Sequence, residues 1–108
     1  MSSFAKSLMK APRGHKLLTK AIEKGLPKLY DTDGVPLEDK TIHIKFFSPY
    51  TGWTWYGAEY DPKDKLFFGL VHGCEKEWGY FSLEELDSLG ALVERDLYFK
   101  PCKTSELK

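Results

Sequence analysis

The sequence predicts an α+β fold, a four- or five-stranded, mainly antiparallel sheet with two short helices packed on one of its faces. Its 108 residues are the size of one domain. Two segments repeat apolar residues at helical spacing. Other segments alternate apolar and polar residues, and turn residues separate them about every 8 to 12 positions, as in an antiparallel meander.

Both helices have recognisable ends. The first is expected to begin after Thr19, a possible N-cap, and to end at Gly25. The second is expected to begin at Ser82, because its hydroxyl can accept a hydrogen bond from the Glu85 N–H in a capping box. Gly90 ends this helix.

Strands are expected where hydrophobic residues alternate with polar ones or form short apolar runs. Ile42, Ile44 and Phe46 alternate with His43 and Lys45, which predicts a strand with one buried face. The five expected strands lie at residues 42–46, 53–60, 66–71, 77–81 and 97–99.

Charge divides the chain into two parts. Residues 1–28 carry seven basic side chains and one acidic side chain, whereas residues 29–108 carry nine basic and fifteen acidic ones. We expect a flexible basic N-terminal arm over residues 1–15 and a single α+β domain over residues 16–108. The lysines of the first part suit either a solvated helix face or a surface that attracts nucleic acid or an acidic protein.

Composition excludes several classes of protein. With 16 basic and 16 acidic residues, and 42% of the chain hydrophobic, the sequence can bury a core and is not of the disordered kind. The longest uncharged stretch, residues 46–58, is shorter than the about 20 apolar residues of a membrane-spanning helix. Lys6 and Lys10 interrupt the region where a secretory signal would be apolar, so a cytoplasmic location is expected. Two cysteines, Cys74 and Cys102, are too few for a disulfide framework and are expected to be free thiols.

No metal or cofactor is expected. His43, His72, Cys74 and Cys102 are potential zinc ligands, but they lack the spacing of a zinc motif. The glycines lie in or beside expected strands rather than in a phosphate-binding loop.

The sequence contains no recognisable set of catalytic residues. No serine or cysteine stands in a nucleophile motif. Carboxylates at Glu59, Asp61 and Asp96, together with His43, leave a small hydrolase as an open alternative.

Aromatic residues are the most unusual feature, since they form 15% of the chain and fall almost wholly on expected strands. Rings occupy both faces of these strands, so more ring surface is expected than two short helices can cover. Rings left exposed can bind a protein or stack on bases, whereas rings that are buried simply build the core. The candidate binding residues are Trp53, Trp55, Tyr56, Tyr60, Arg95 and Asp96.

Five strings along the chain resemble one known family. They are Leu26-Pro27-Lys28-Leu29-Tyr30, Lys45-Phe46-Phe47-Ser48-Pro49 with Trp53-Thr54-Trp55-Tyr56, Phe67-Phe68-Gly69, Gly79-Tyr80-Phe81-Ser82-Leu83-Glu84-Glu85-Leu86, and Glu94-Arg95-Asp96-Leu97-Tyr98-Phe99. Their order and spacing resemble the uncharacterised bacterial family catalogued as domain of unknown function 2958, from about residue 17 to residue 101. The resemblance implies a setting in bacteria, plasmids, phages and other mobile elements, often near accessory and anti-defence genes. It implies no activity and no catalytic residues.

The leading hypothesis is a non-enzymatic accessory protein that acts as a protein-interaction module and presents aromatic side chains with Arg95 or Asp96 to a protein partner. The rival is single-stranded nucleic-acid binding, with Trp55, Tyr56 and Tyr60 as stacking platforms and the N-terminal lysines as a phosphate track. The acidic balance of residues 29–108 weighs against that rival.

Overall fold

The computed structural model describes residues 14–107 and confirms the α+β class. Of the predicted basic arm, residues 1–13 lie outside the described residues. The helices are α1 (Lys20–Gly25) and α2 (Leu83–Ser88). The strands are β1 (Thr41–Ile42), β2 (Ile44–Phe47), β3 (Thr54–Asp61), β4 (Leu66–His72), β5 (Lys76–Ser82), β6 (Glu94–Arg95) and β7 (Cys102–Lys103). Short 3₁₀ turns span Leu37–Asp39, Gly90–Leu92 and Thr104–Glu106.

Both predicted N-caps are present. The Thr19 hydroxyl accepts a hydrogen bond from the Ile22 N–H at 3.3 Å, and the Ser82 hydroxyl accepts one from the Glu85 N–H at 3.3 Å. Beyond the end of α2, Gly90 has a φ of +55°, a conformation that glycine adopts without steric cost. The starts of both helices are therefore where side-chain chemistry predicts them.

The large sheet is antiparallel throughout, in the order β5-β4-β3-β2-β6. Strands β2, β3, β4 and β5 are those predicted from alternation and turn spacing. A second, two-stranded sheet pairs β1 with β7. It was not predicted, because strands of two residues carry too little pattern to be recognised in a sequence.

The strand expected at residues 42–46 is interrupted at His43, so this prediction is wrong in one respect. His43 donates its backbone N–H to the Gly57 carbonyl at 2.9 Å between β1 and β2. Ile42 and Ile44 consequently enter different hydrophobic clusters, although alternation placed them on one face.

The strand expected at residues 97–99 does not form. Asp96 ends β6, because its carboxylate accepts a hydrogen bond from the Tyr98 N–H at 2.9 Å and thereby closes a turn. Leu97 and Tyr98 are 58% and 91% exposed on this turn. Phe99 instead packs against Tyr56, with ring centroids 6.5 Å apart.

A bulge in β3 changes which side chains share a face. Gly57 is opposite Gly69, but the next aligned residue of β3 is Glu59, opposite Phe68. The extra residue, Ala58, shifts the alternation by one position. Simple alternation would place Tyr60 with Tyr56, whereas the bulge places it on the other face of the sheet.

Hydrophobic clusters cover both faces of the sheet. On the helix face, α1, α2 and the segment before α1 cover side chains of the sheet, which are Ile44, Phe46, Tyr60, Phe67 and Phe81. On the outer face, β1 and the C-terminal segment cover a smaller cluster, which is Ile42, Tyr56, Ala58 and Leu70 with Trp78, Phe99 and Leu107 around it. The C-terminal segment leaves part of the outer face uncovered, and exposed aromatic rings lie on that part.

Candidate functional site

Four rings lie side by side on the outer face, and we call them the aromatic row, which is Tyr30, Phe68, Trp78 and Tyr80. The ring centroid of Phe68 lies 5.6 Å from that of Trp78 and 5.3 Å from that of Tyr80. A side-chain hydrogen bond links Tyr80 to Tyr30. Tyr30 and Tyr80 are 64% and 51% exposed. The row is therefore a continuous aromatic surface open to solvent at one end.

Strand pairing positions three of these rings. Phe68 of β4 is opposite Tyr80 of β5, and Leu70 is opposite Trp78. Side chains directly or diagonally opposite on one face of an antiparallel pair lie within contact distance. The register of this hairpin thus fixes the order of the rings along the row.

The fourth ring is positioned by a buried carboxylate. Glu59 is only 2% exposed, and its Oε1 accepts a hydrogen bond from the Tyr30 N–H at 2.8 Å. Its Oε2 accepts from the Thr32 N–H at 3.3 Å and from the Thr32 hydroxyl. Tyr30 has a φ of +72°, in the left-handed region that side chains rarely adopt. Glu59 therefore holds a strained turn that places Tyr30 beside Tyr80.

Lys40 completes this buried network. Its ammonium is 3.6 Å from Glu59 Oε2, donates to the Thr32 hydroxyl at 2.7 Å and also donates to the Thr32 carbonyl. It lies 6.0 Å from the centre of the Phe68 ring. The Lys40 carbonyl accepts hydrogen bonds from the backbone and hydroxyl of Thr104, both at 2.9 Å. The network joins the aromatic row to the small sheet and satisfies each buried charge.

Several neighbouring groups act on the Tyr80 hydroxyl at the open end of the row. The hydrogen bond that Tyr80 donates to Tyr30 is the main cause that raises the pKa of Tyr80, and partial burial and the carboxylates of Glu59 and Asp33 add to it. Of these two carboxylates, Glu59 is already paired with the Lys40 ammonium at 3.6 Å. The neighbouring groups therefore favour the neutral, hydrogen-bonding form of the Tyr80 hydroxyl.

The structure disperses the aromatic residues that sequence analysis selected. Trp53 is 39% exposed, and Trp55 packs against the cluster on the helix face, with the two ring centroids 6.1 Å apart. Tyr56 and Tyr60 are 8% and 3% exposed, on opposite faces of the sheet. Available stacking platforms were expected at Tyr56 and Tyr60, and this expectation is wrong because the bulge and the second sheet place both rings in the core.

Arg95 and Asp96 lie at the opposite edge of the sheet from the aromatic row. The Arg95 guanidinium donates to the Lys16 carbonyl at 2.7 Å, and its backbone N–H donates to His15 Nε2 at 3.0 Å. The Asp96 carboxylate is 3.5 Å from the Lys45 ammonium. Both residues line a cleft of about 320 Å³ between α1 and β6. Their contacts attach the N-terminal segment and order the β2–β6 edge.

The carboxylates of the hydrolase alternative do not form one cluster. Glu59 is fully engaged in the buried network, and Asp61 accepts a hydrogen bond from the Lys63 N–H at 3.0 Å in the turn after β3. His43 and Asp96 share the cleft beside α1, which neither Glu59 nor Asp61 lines. This arrangement gives the four residues no common reaction centre.

We predict that His43 makes stability depend on pH. Burial lowers the pKa of His43 below its ordinary value of 6.5, so the unfolded chain binds a proton more readily than the native chain. The contribution of the neutral His43 side chain to stability is therefore complete above pH 6.5 and decreases as the pH falls below that value. Urea titrations at about pH 7.5 and about pH 5 measure how much unfolding free energy each protein loses between the two pH values. We expect this loss to be smaller in His43→Gln than in the wild-type protein. An equal loss in both proteins would show that His43 does not contribute.

Other features of the described chain concern metals and membranes. Within residues 14–107, no three His, Cys, Asp or Glu side chains are grouped so that they could hold a metal ion. Cys74 and Cys102 are free thiols. No helix in this part of the chain is long and apolar enough to cross a membrane.

Sequence reasoning missed Tyr30 and did not single out Tyr80. The alternation of residues in β5 offered a signal for Tyr80. Trp78 and Tyr80 share one face of the strand, Phe81 lies on the other, and the helices cover only one of the two faces. Nothing local marked Tyr30, because the carboxylate that positions it is 29 residues away in the sequence.

Fold and site together define a small α+β domain that exposes a fixed row of aromatic side chains. The family model described as "Protein of unknown function (DUF2958)" matches residues 17–106, and the chain belongs to this family. This match confirms the resemblance seen in the sequence. Comparisons with curated proteins and with solved structures give no match.

Proposed function

We propose that this protein is a non-enzymatic interaction module that binds a protein partner through the aromatic row. One observation carries the proposal: the Tyr30 and Tyr80 rings are 64% and 51% exposed, and a carboxylate that is 2% exposed fixes the turn that carries Tyr30. Replacing a buried ion pair by apolar residues is often neutral or stabilising, so a buried pair that orders the turn of an exposed ring supports a binding role for that ring.

The row has the properties of a protein-binding surface. Tyrosine and tryptophan dominate the energetics of protein interfaces, because each offers a large apolar face together with a polar group. Rings that are already ordered lose little conformational entropy on binding. The contacts of Phe68 with both Trp78 and Tyr80 supply this order.

The charge distribution favours a protein partner over nucleic acid. Residues 29–108 carry six more acidic than basic side chains. Phosphates approaching the row would be repelled. Burial of Tyr56 and Tyr60 also removes two of the three platforms on which nucleic-acid binding depended.

The proposal includes an accessory role in a bacterial or mobile-element setting, which is supported by what the family resemblance implies. It also includes a cytoplasmic location, which the free thiols of Cys74 and Cys102 support.

Partner capture with a matched control tests this function. Immobilised wild-type protein, the double variant Tyr30→Ala/Tyr80→Ala, and Tyr98→Ala are incubated with bacterial lysate, and retained proteins are quantified by mass spectrometry. Loss of an aromatic hot spot costs about 2 kcal/mol, or about thirtyfold in affinity, so the double variant is expected to lose the partner. Tyr98 is 91% exposed but lies outside the row, and its variant is expected to retain the partner. Equal retention by all three folded proteins would contradict the proposal.

A further inference from the structure

The two edges of the large sheet differ in how they can pair. Strand β6 has two residues, and the N–H of Arg95 already donates to His15. Strand β5 has seven residues and pairs with β4 alone among the described residues. A long free edge presents backbone donors and acceptors in a row and is a template for another strand.

The sequence of β5 lacks the features that usually block such pairing. Its charged residues are confined to its start, at Lys76 and Glu77, and it contains no proline. Trp78 and Tyr80 point to the outer face, so a neighbouring strand would place its side chains against the aromatic row. The edge therefore offers side-chain contacts in addition to backbone hydrogen bonds.

The side chains along β5 are compatible with those of a second β5. An antiparallel pair centred on Trp78 places each Lys76 opposite Tyr80 of the other copy, on the same face, because residues 76, 78 and 80 alternate together. Tyr80 is 51% exposed, and an ammonium group is attracted to the face of a tyrosine ring. The same register brings the two Trp78 side chains together on the two-fold axis.

The helix face is also compatible with this register. Each Glu77 lies opposite Gly79 of the other copy, so no two like charges are directly opposed. A Cβ placed on Gly79 would have no atom within 4 Å, which leaves room beside it for a glutamate side chain.

We propose that two copies of this chain associate through β5, in an antiparallel register centred on Trp78, to form a continuous ten-stranded sheet. Each Lys76 then lies beside Tyr80 of the other copy. The two aromatic rows become one surface that crosses the dimer. This inference goes beyond the proposed function, which requires only a single copy.

Measurements of mass and amide exchange on the full chain test the dimer. Light scattering across a range of concentrations is expected to give twice the 12.4 kDa chain mass at the upper end. Lys76→Glu replaces the ammonium group beside the Tyr80 ring of the other copy with a carboxylate and is expected to raise the dimer dissociation constant by at least about tenfold. Lys63→Glu makes the same charge change in the turn after β3 and is expected to leave the dimer intact. Amides of β5 in the wild-type dimer are expected to exchange more slowly than in Lys76→Glu.

Several results would overturn the proposal. A wild-type chain that stays monomeric at high concentration, a dimer insensitive to Lys76→Glu, or a dimer with unprotected β5 amides each contradicts it. If the chain were monomeric and its β5 amides exchanged slowly only after the captured protein is added, the edge would pair with a strand of that protein instead. A Lys76→Glu monomer that still captures the partner separates the two proposals, because it removes the dimer and leaves the interaction function in place.

Discussion

Replacing Glu59 with alanine is expected to lower the free energy of unfolding by about 3–5 kcal/mol, the cost of leaving one member of a buried ion pair alone. The Lys40 side chain is 5% exposed, and its ammonium would keep only the oxygens of Thr32. The N–H groups of Tyr30 and Thr32 would lose their acceptor at the same time. Such a loss is a large fraction of the stability of a small domain, and urea denaturation measures it directly.

An exposed ion pair provides the control for this experiment. Lys65 and Glu84 are 3.5 Å apart, with side chains 52% and 73% exposed. Glu84→Ala is expected to change the unfolding free energy by less than about 1 kcal/mol. If Glu59→Ala and Glu84→Ala had similar effects, the buried network would not be what orders the turn at Tyr30.

The network also explains why stability and binding are expected to be linked. Tyr30 keeps its left-handed backbone only while Glu59 accepts its N–H, so a weakened network releases the ring that completes the aromatic row. Removal of the Glu59 carboxylate is thus expected to reduce partner capture even where the domain remains folded.

Local chemistry predicted much of the fold. The caps at Thr19 and Ser82 form as expected, because a hydroxyl at an N-cap satisfies a backbone donor within the same turn. Strands β2 to β5 follow from alternation between turn signals. These features depend on residues a few positions apart, which is the range that a single sequence reveals.

The candidate site depends on longer-range effects and was predicted only in part. Aromatic rings on two faces did indicate that some would remain exposed. Which ones remain exposed depends on the bulge at Ala58, which reverses the facing of Tyr60 and turns Glu59 toward Tyr30. The candidate rings were chosen because aromatic residues occupy both faces of the expected strands, which does not show that Tyr56 and Tyr60 are buried, and Tyr30 lies outside those strands.

Replacing Gly69 with alanine is expected to be the second severe change. A Cβ at Gly69 would lie 1.8 Å from the carbonyl oxygen of Tyr56 and 3.2 Å from the Gly57 Cα. Both are backbone atoms of the central strand β3, beside the bulge, and they cannot move as the end of a flexible side chain can. The strands must separate locally, and we expect a loss of at least about 3 kcal/mol, at the upper end of overpacking effects.

Gly79 provides a matched control in the same row of the sheet, since it is opposite Gly69 in the pairing of β4 with β5. A Cβ at Gly79 meets no atom within 4 Å. Gly79→Ala is expected to leave stability unchanged or to raise it by about 0.5 kcal/mol, because alanine loses less backbone entropy on folding. Thermal and urea unfolding of both variants would therefore give opposite or clearly unequal shifts. If the two variants were equally stable, β3 and β4 would not approach as closely at the bulge as the fold requires, and the placement of Glu59 beneath Tyr30 would lose its structural basis.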